Sequence, residues 1–255
     1  MEEKQERSFQ DIIIGRNCVT EAFKSGRNID SILIARGSTK GSLSVLLAKA
    51  KEKGIPIKEV DTKKLDFMCN HGSHQGVIAV CAYAEYSSID DIFAKAAEKN
   101  EPPLIVILDE IEDPHNLGAI IRTAECAGAH GVIILKRHGA GLTFTVYKAS
   151  AGALAYMPVV RVTNLASTID ELKKKGVWIY GADMGGEDYK KCDLKGAAAV
   201  VIGNEGKGIG RLIKEKCDIV LSLPLKGNIN SLNASVAAGI LLYEFAYQRT
   251  YSQLT

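Results

Sequence analysis

Two apolar rhythms alternate along the chain. One is the short unbroken run: Leu104-Ile105-Val106-Ile107-Leu108 has no polar position on either face. Such a strand is buried on both sides, as in a parallel sheet covered by helices. The other is the helical spacing of Ser42–Lys53, where apolar residues recur every three or four positions. Over residues 11–84 the two rhythms predict strands at Ile12–Ile14, Ser31–Ala35, Ile55–Val60 and Val77–Tyr83. Helices are expected at Arg16–Ser25 and Ser42–Lys53, with Gly26 and Gly54 just past their ends. Over 104–255 strands are expected at Leu104–Leu108, Val132–Leu135, Trp178–Ala182, Ala198–Ile202 and Ile219–Leu223. Helices are expected at Leu117–Ala127, Thr143–Ala151, Leu165–Lys175, Gly210–Lys216 and Asn233–Arg249. Asn116 and Asn164 stand where N-caps belong, Gly128 and Gly176 where helices stop. Between the halves, Ser88 caps a short helix from Ile89 to Lys99, and Asn100-Glu101-Pro102-Pro103 closes it. The fold class is therefore α/β: a small α/β domain over 1–84 with a charged tail at 1–10, a linker at 85–103, and a parallel-sheet domain over 104–255.

Composition narrows the class without naming a function. A hydrophobic content of 46% supports a globular core. A net charge of +2, from 32 basic and 30 acidic residues, neither announces nor excludes a nucleic-acid partner, since a local patch decides that. Six cysteines at 18, 69, 81, 126, 192 and 217 form no C-x-x-C pair, which fits reduced thiols and a cytoplasmic location. Met1–Ser8 is charged and lacks an apolar core, so no signal peptide is expected, and no run is long enough to predict a membrane helix.

Candidate chemistry gathers in three loops, each after a buried strand, where open α/β sheets bind ligands. The first is Asp109–Asn116, the second Gly203–Gly210, and the third Pro224–Asn233 running into a helix rich in Ala and Gly. The glycines at 203, 206, 208 and 210 match neither a Walker loop, because Lys207 precedes Gly208, nor a dinucleotide fingerprint. They fit either a close backbone approach to a neutral or cationic ligand or a plain flexible turn. Arg122 needs a partner if it faces inward, and Glu125 or Glu205 would serve; on a solvated face it is a salt bridge. Ser231 and Asn233 are both placed to cap the last helix. His71 and His74 are candidates to face RNA, and without a third ligand they make no metal site.

Together these loops resemble the three motifs of the SpoU/TrmH group of the SPOUT superfamily, the ribose 2′-O-methyltransferases. The residues are Asp113-Pro114-His115-Asn116-Leu117-Gly118 with Arg122, then Ile202-Gly203-Asn204-Glu205-Gly206, then Leu223-Pro224 with Ser231-Leu232-Asn233-Ala234-Ser235. Gly15-Arg16-Asn17-Cys18-Val19 and His74-Gln75-Gly76 resemble the L30e-like RNA-binding domain of the same group. The resemblance implies a deep trefoil knot around residues 200–235 and a homodimer through the C-terminal helix. It implies S-adenosylmethionine as cofactor, held by Gly181, Ala182, Gly203, Asn204, Gly206, Leu223, Leu225 and Leu232. Asn116, Arg122, Glu205, Ser231 and Asn233 are the implied catalytic residues, and no metal is required. RNA is the implied partner, most of all a guanosine in 23S rRNA, with tRNA or a non-catalytic role in ribosome assembly as alternatives. Arg16, Arg36, Lys63, Lys64 and His74 are candidates for holding the RNA.

Overall fold

The computed structural model describes residues 12–38, 41–69 and 72–251. The charged tail at 1–10 and His71 lie outside these residues. The chain divides into two compact units, one of 1–85 with 141–144, the other of 86–140 with 145–255.

In the first unit the chain runs β1 (Ile12–Ile14), α1 (Arg16–Lys24), β2 (Ile29–Ala35), α2 (Ser42–Glu52), β3 (Ile57–Val60), α3 (Thr62–Met68) and β4 (Val77–Cys81). The sheet order is β1-β4-β2-β3, with β2 and β3 parallel and the other pairs antiparallel. Alternation along β2 loads both faces. Ile32 and Ile34 meet Val19, Phe23, Leu43 and Leu46 from α1 and α2, and Leu33 and Ala35 meet Leu65 and Cys69 from α3. Gly26 and Gly54 both take positive φ, as expected of residues that follow a helix. Helix α3 was not apparent from the pattern: it has only seven residues and is set by its cap, Asp61, whose side chain accepts the Lys63 N–H at 2.9 Å.

The second unit runs α4 (Ile89–Glu98), β5 (Leu104–Leu108), α5 (Pro114–Cys126), β6 (Gly131–Leu135), α6 (Phe144–Ala149), β7 (Val159–Val162), α7 (Leu165–Lys174), β8 (Trp178–Asp188), β9 (Ala198–Ile202), α8 (Arg211–Lys216), β10 (Ile219–Ser222) and α9 (Ala234–Tyr251). Its six strands lie in the order β10-β8-β9-β5-β6-β7, all parallel. One face carries Ile105, Ile107, Ile133, Ile179 and Val201 against Ile92 of α4 and Ile169 and Leu172 of α7. The stretch read as a linker thus contains a helix of this core, opened by a capping box between Ser88 and Asp91. On the opposite face α9 packs along α5, where a Cβ on Gly239 would stand 3.6 Å from Thr123.

Two expectations change. Strand β7 was missed, because the run around Val159 and Val160 is only two residues long before Arg161. Helix α5 begins earlier than expected: Asp113, not Asn116, is its N-cap and accepts the His115 N–H at 2.9 Å, with Pro114 in the first turn. Asn116 therefore sits within the first turn, free to use its side chain elsewhere. Among the described residues no helix is long and apolar enough to cross a membrane.

His130 stands fully buried beneath this sheet's lower edge. Its Nδ1 accepts the Leu104 N–H at 3.0 Å, and Glu101 lies 3.2 Å from Nε2 but off the N–H direction. Burial lowers its pKa from the usual value of 6.5, so the folded unit keeps the ring neutral while the unfolded chain protonates it. Stability is then complete above pH 6.5 and falls below it, by up to roughly 1.4 kcal/mol per pH unit. Urea unfolding across that range should show this slope, and His130→Asn should flatten it; an unchanged slope in the mutant would refute the assignment.

Candidate active site

Asn116 is a buried amide, and a buried amide must be paired. Its Oδ1 accepts a hydrogen bond from Asn233 Nδ2 at 3.0 Å, and its Nδ2 donates to Glu205 Oε1. Asn233 in turn caps α9, its Oδ1 accepting from Ser235 N at 3.0 Å and Ser235 Oγ at 2.6 Å. The cap fixes every polarity in this chain. Asn233 must present oxygen to its own helix, so its nitrogen faces Asn116; Asn116 then offers nitrogen to Glu205, which must accept. One side chain from each of the three loops is thereby tied together, and the second Glu205 oxygen has no partner among the described residues.

The loop that carries Glu205 is a tight hairpin. Asn204 and Gly208 exchange backbone hydrogen bonds at 3.1 and 2.8 Å, and Asn204 Oδ1 accepts the Gly206 N–H at 2.9 Å. Asn204 Nδ2 holds the hairpin down on the Glu110 carbonyl at 3.0 Å. A Cβ on Gly203 would overlap the backbone of Gly208, so only glycine allows this closure. Beneath the hairpin, Asp109 accepts the Gly210 N–H at 2.8 Å, and burial raises its pKa despite that bond.

The hairpin walls a cavity of about 280 Å³. Ala182, Gly203, Asn204, Glu205, Gly206, Leu223, Leu225, Ser231 and Leu232 line it, all of them expected site residues. Gly181 does not: it lies behind the wall, where a Cβ would come within 2.8 Å of Cys217 Sγ, a thiol that burial pushes up to about 11. Asp183 and Met184 also line the cavity and were missed. They belong to the outer half of β8, where the ladder with β10 shifts register between Val220 and Leu221. The paired glycines at 185 and 186 were the available signal for that irregularity. Lys214 holds Asp183 from outside at 2.7 Å.

Arg122 is not brought to this group. It is exposed and makes no hydrogen bond or ion pair among the described residues, with neither Glu125 nor Glu205 as partner. Six residues beyond Asn116 on one helix, it is about 9 Å along the axis and roughly 120° around. Of the RNA candidates, Arg36, Lys63 and Lys64 are exposed. Arg16 is engaged with its own unit, its Nε donating to Gln75 O at 3.0 Å and Nη1 to Ser42 Oγ at 3.3 Å. His74 is likewise occupied: Nδ1 accepts the Gly76 N–H at 2.9 Å, so Nε2 carries the proton toward Asp66 Oδ1, 3.0 Å away. Among the described residues no three metal-ligating side chains cluster.

Comparison with known proteins accounts for both units. Residues 103–243 match the model of the SpoU rRNA Methylase family, and residues 12–87 match that of the RNA 2′-O ribose methyltransferase substrate-binding domain. The chain belongs to the SpoU methylase family. It is 51% identical over 240 residues to YacO of Bacillus subtilis (strain 168), assigned to the TrmH family of tRNA/rRNA methyltransferases, covering 94% of this chain and 96% of that one. Among solved structures it is similar to the SpoU methyltransferase AviRb of Streptomyces viridochromogenes in complex with AdoMet, with a TM-score of 0.60, 26% identity, and coverage of 94% and 90%. The A. aeolicus TrmH/SpoU tRNA modifying enzyme matches with a TM-score of 0.56 and 28% identity, covering 60% of this chain and 79% of its own.

As a SpoU methylase the protein is an S-adenosylmethionine-dependent RNA methyltransferase. The cavity fits that cofactor on its own terms. Leucine and alanine side chains and a glycine edge suit an adenosine, and carboxylates at Asp183 and Glu205 suit a molecule that carries positive charge. Gly203→Ala should weaken binding of S-adenosylmethionine roughly tenfold or more, the scale of forcing a Cβ into packed backbone. Calorimetry reads this directly; wild-type affinity in the mutant would show that the closed hairpin is not needed.

Proposed function

We propose that this SpoU methylase transfers a methyl group to a ribose 2′-hydroxyl, with a guanosine of 23S rRNA as its target. The observation that carries the reading is the hydrogen-bonded chain from Asn233 through Asn116 to Glu205 at the edge of a glycine-walled cavity. A ribose hydroxyl is a poor nucleophile until its proton is shared with a base. Glu205 is the base the geometry offers, because Asn116 occupies one of its oxygens and orients the other. The bound cofactor supplies an already activated methyl group. Backbone groups of Gly203, Leu223 and Leu232 and the side chains beside them hold it. Arg122 can only donate, since a guanidinium stays charged. Because it stands apart from Glu205, its proposed role is to hold an RNA phosphate beside the site while the proton of the hydroxyl passes to Glu205. Ser231, which lines the cavity and makes no hydrogen bond among the described residues, is proposed to position the ribose.

The division of labour follows the two matched family models. Residues 1–84 are proposed to capture RNA through Arg36, Lys63 and Lys64, and residues 104–255 to bind cofactor and catalyse. The tRNA modifying enzyme matches only 60% of this chain, whereas an rRNA methyltransferase from Sinorhizobium meliloti matches 100% at 25% identity and a TM-score of 0.57; the second unit beyond the catalytic one supports rRNA over tRNA. A cytoplasmic location belongs to the same reading, as does a trefoil knot over 200–235.

A homodimer is also proposed. Helix α9 buries Ala238, Leu241, Leu242 and Phe245 but exposes Val236, Ile240, Tyr243 and Tyr247 to 49, 38, 55 and 60%. These four recur at spacings of four, three and four, which makes one continuous apolar stripe. Ile240→Arg should convert a dimer to a monomer in light scattering at micromolar concentration; a wild-type monomer would refute the assignment.

The catalytic proposal is tested with Glu205→Gln and Arg122→Ala. Each should lower kcat for methyl transfer to 23S rRNA fragments by roughly a hundredfold or more, the usual scale for an acid–base group. Cofactor affinity should hold in Arg122→Ala. Transfer at the wild-type rate in either mutant would remove that residue from the mechanism.

A further inference from the structure

A second cavity, of about 490 Å³, lies on the far side of the hairpin from the cofactor cleft. It opens at the carboxyl ends of β5, β6 and β7 and is lined by Arg137, His138, Asn164, Lys207 and Arg211 among others. Lys207 and Gly208 line both cavities, so a single hairpin separates this groove from Glu205. Its cations come from three separate places in the chain: the loop after β6, the hairpin tip and the start of α8.

These charges are gathered at a cost. Arg137 and Lys207 are exposed and have no ion pair among the described residues. The contact of Arg211 Nε with Glu215 Oε1 is 3.6 Å long on a side chain 93% exposed, too solvated to neutralise it. Lys136 stands beside Arg137 and Arg161, and burial together with those two cations lowers its pKa. Arg161 is itself held over the Tyr86 ring at 4.2 Å. Of the acids nearby, Asp109 accepts the Gly210 N–H at 2.8 Å, while Glu112, 4.0 Å from His138 Nδ1, is as solvated as Glu215. Asp109 and Glu110 both line the groove, and Glu110 is an acceptor suited to a ribose hydroxyl or a base amino group.

We infer that this groove is a binding site for the RNA strand beside the methylated nucleotide, with Arg137, Lys207 and Arg211 on its phosphates. A strand lying there would pass over the hairpin tip and deliver a ribose to Glu205 on the other side. The inference rests on the methyltransferase reading for its purpose, but not for its measurement.

The test is the double variant Arg137→Ala/Arg211→Ala in the full chain, titrated with a single-stranded RNA oligonucleotide by fluorescence anisotropy over a range of KCl. Losing two phosphate contacts should reduce the slope of log affinity against log salt by roughly 1.4–2, or about 25- to 100-fold in affinity at 0.1 M relative to 1 M salt. Arg137→Lys/Arg211→Lys keeps the charges and should retain most of the slope. Melting temperature and S-adenosylmethionine binding should match wild type in both. An unchanged slope in the alanine variant overturns the inference. So does loss of cofactor affinity alongside RNA affinity, or a lysine variant as weak as the alanine one. If wild-type protein binds no cofactor while its RNA binding still depends on Arg137 and Arg211, the groove stands and the methyltransferase reading falls.

Discussion

The second unit depends on satisfying one buried amide. Asn116 is buried, and its side chain is not needed by its own helix, because Asp113 already caps that end. Its partners come from 89 and 117 residues away along the chain, in two other loops. A buried polar group left unpaired costs about 1–3 kcal/mol, so three loops that would otherwise move independently share one preferred arrangement. The same bonds give Glu205 a fixed orientation. Structural satisfaction and the positioning proposed for the chemistry are here a single interaction.

Close backbone approach is the second constraint, and small residues make it possible. A Cβ on Gly118 would overlap Ala149, and one on Gly203 would overlap Gly208. Gly239 brings α9 against α5 at Thr123. These contacts hold the Asn116 and Asn233 helices side by side and shut the hairpin over the cavity. Substituting any of them trades a methyl group for a shift of main chain, which packed interiors resist.

Charge is distributed by function rather than by the chain average. A net +2 conceals a cavity whose wall carries carboxylates and a groove, one hairpin away, whose lining is basic. A cationic cofactor and a polyanionic strand ask for opposite potentials in adjacent places. The hairpin separates them while keeping both within reach of Glu205.

The apolar rhythm of the sequence determined most of the architecture. Unbroken runs such as Leu104–Leu108 specified a covered parallel sheet, because only burial on both faces tolerates them. Glycines after periodic segments marked helix ends, since positive φ there costs other residues energy. Motif resemblance named the loops, the cofactor and the residues around the cavity. Short elements escaped it: α3 and β7 are set by a cap and by neighbouring strands, not by their own periodicity. Only the tertiary structure decided which side chains meet. Asn116 read as a cap from its neighbours, yet its amide is spent on Glu205 and Asn233. Arg16 and His74 read as RNA contacts from sequence, and only the fold shows the hydrogen bonds each makes within its own unit. Arg122 read as part of the cluster and stands apart from it. Pairing across a hundred residues of chain is a matter of three-dimensional geometry, and no local pattern carries it.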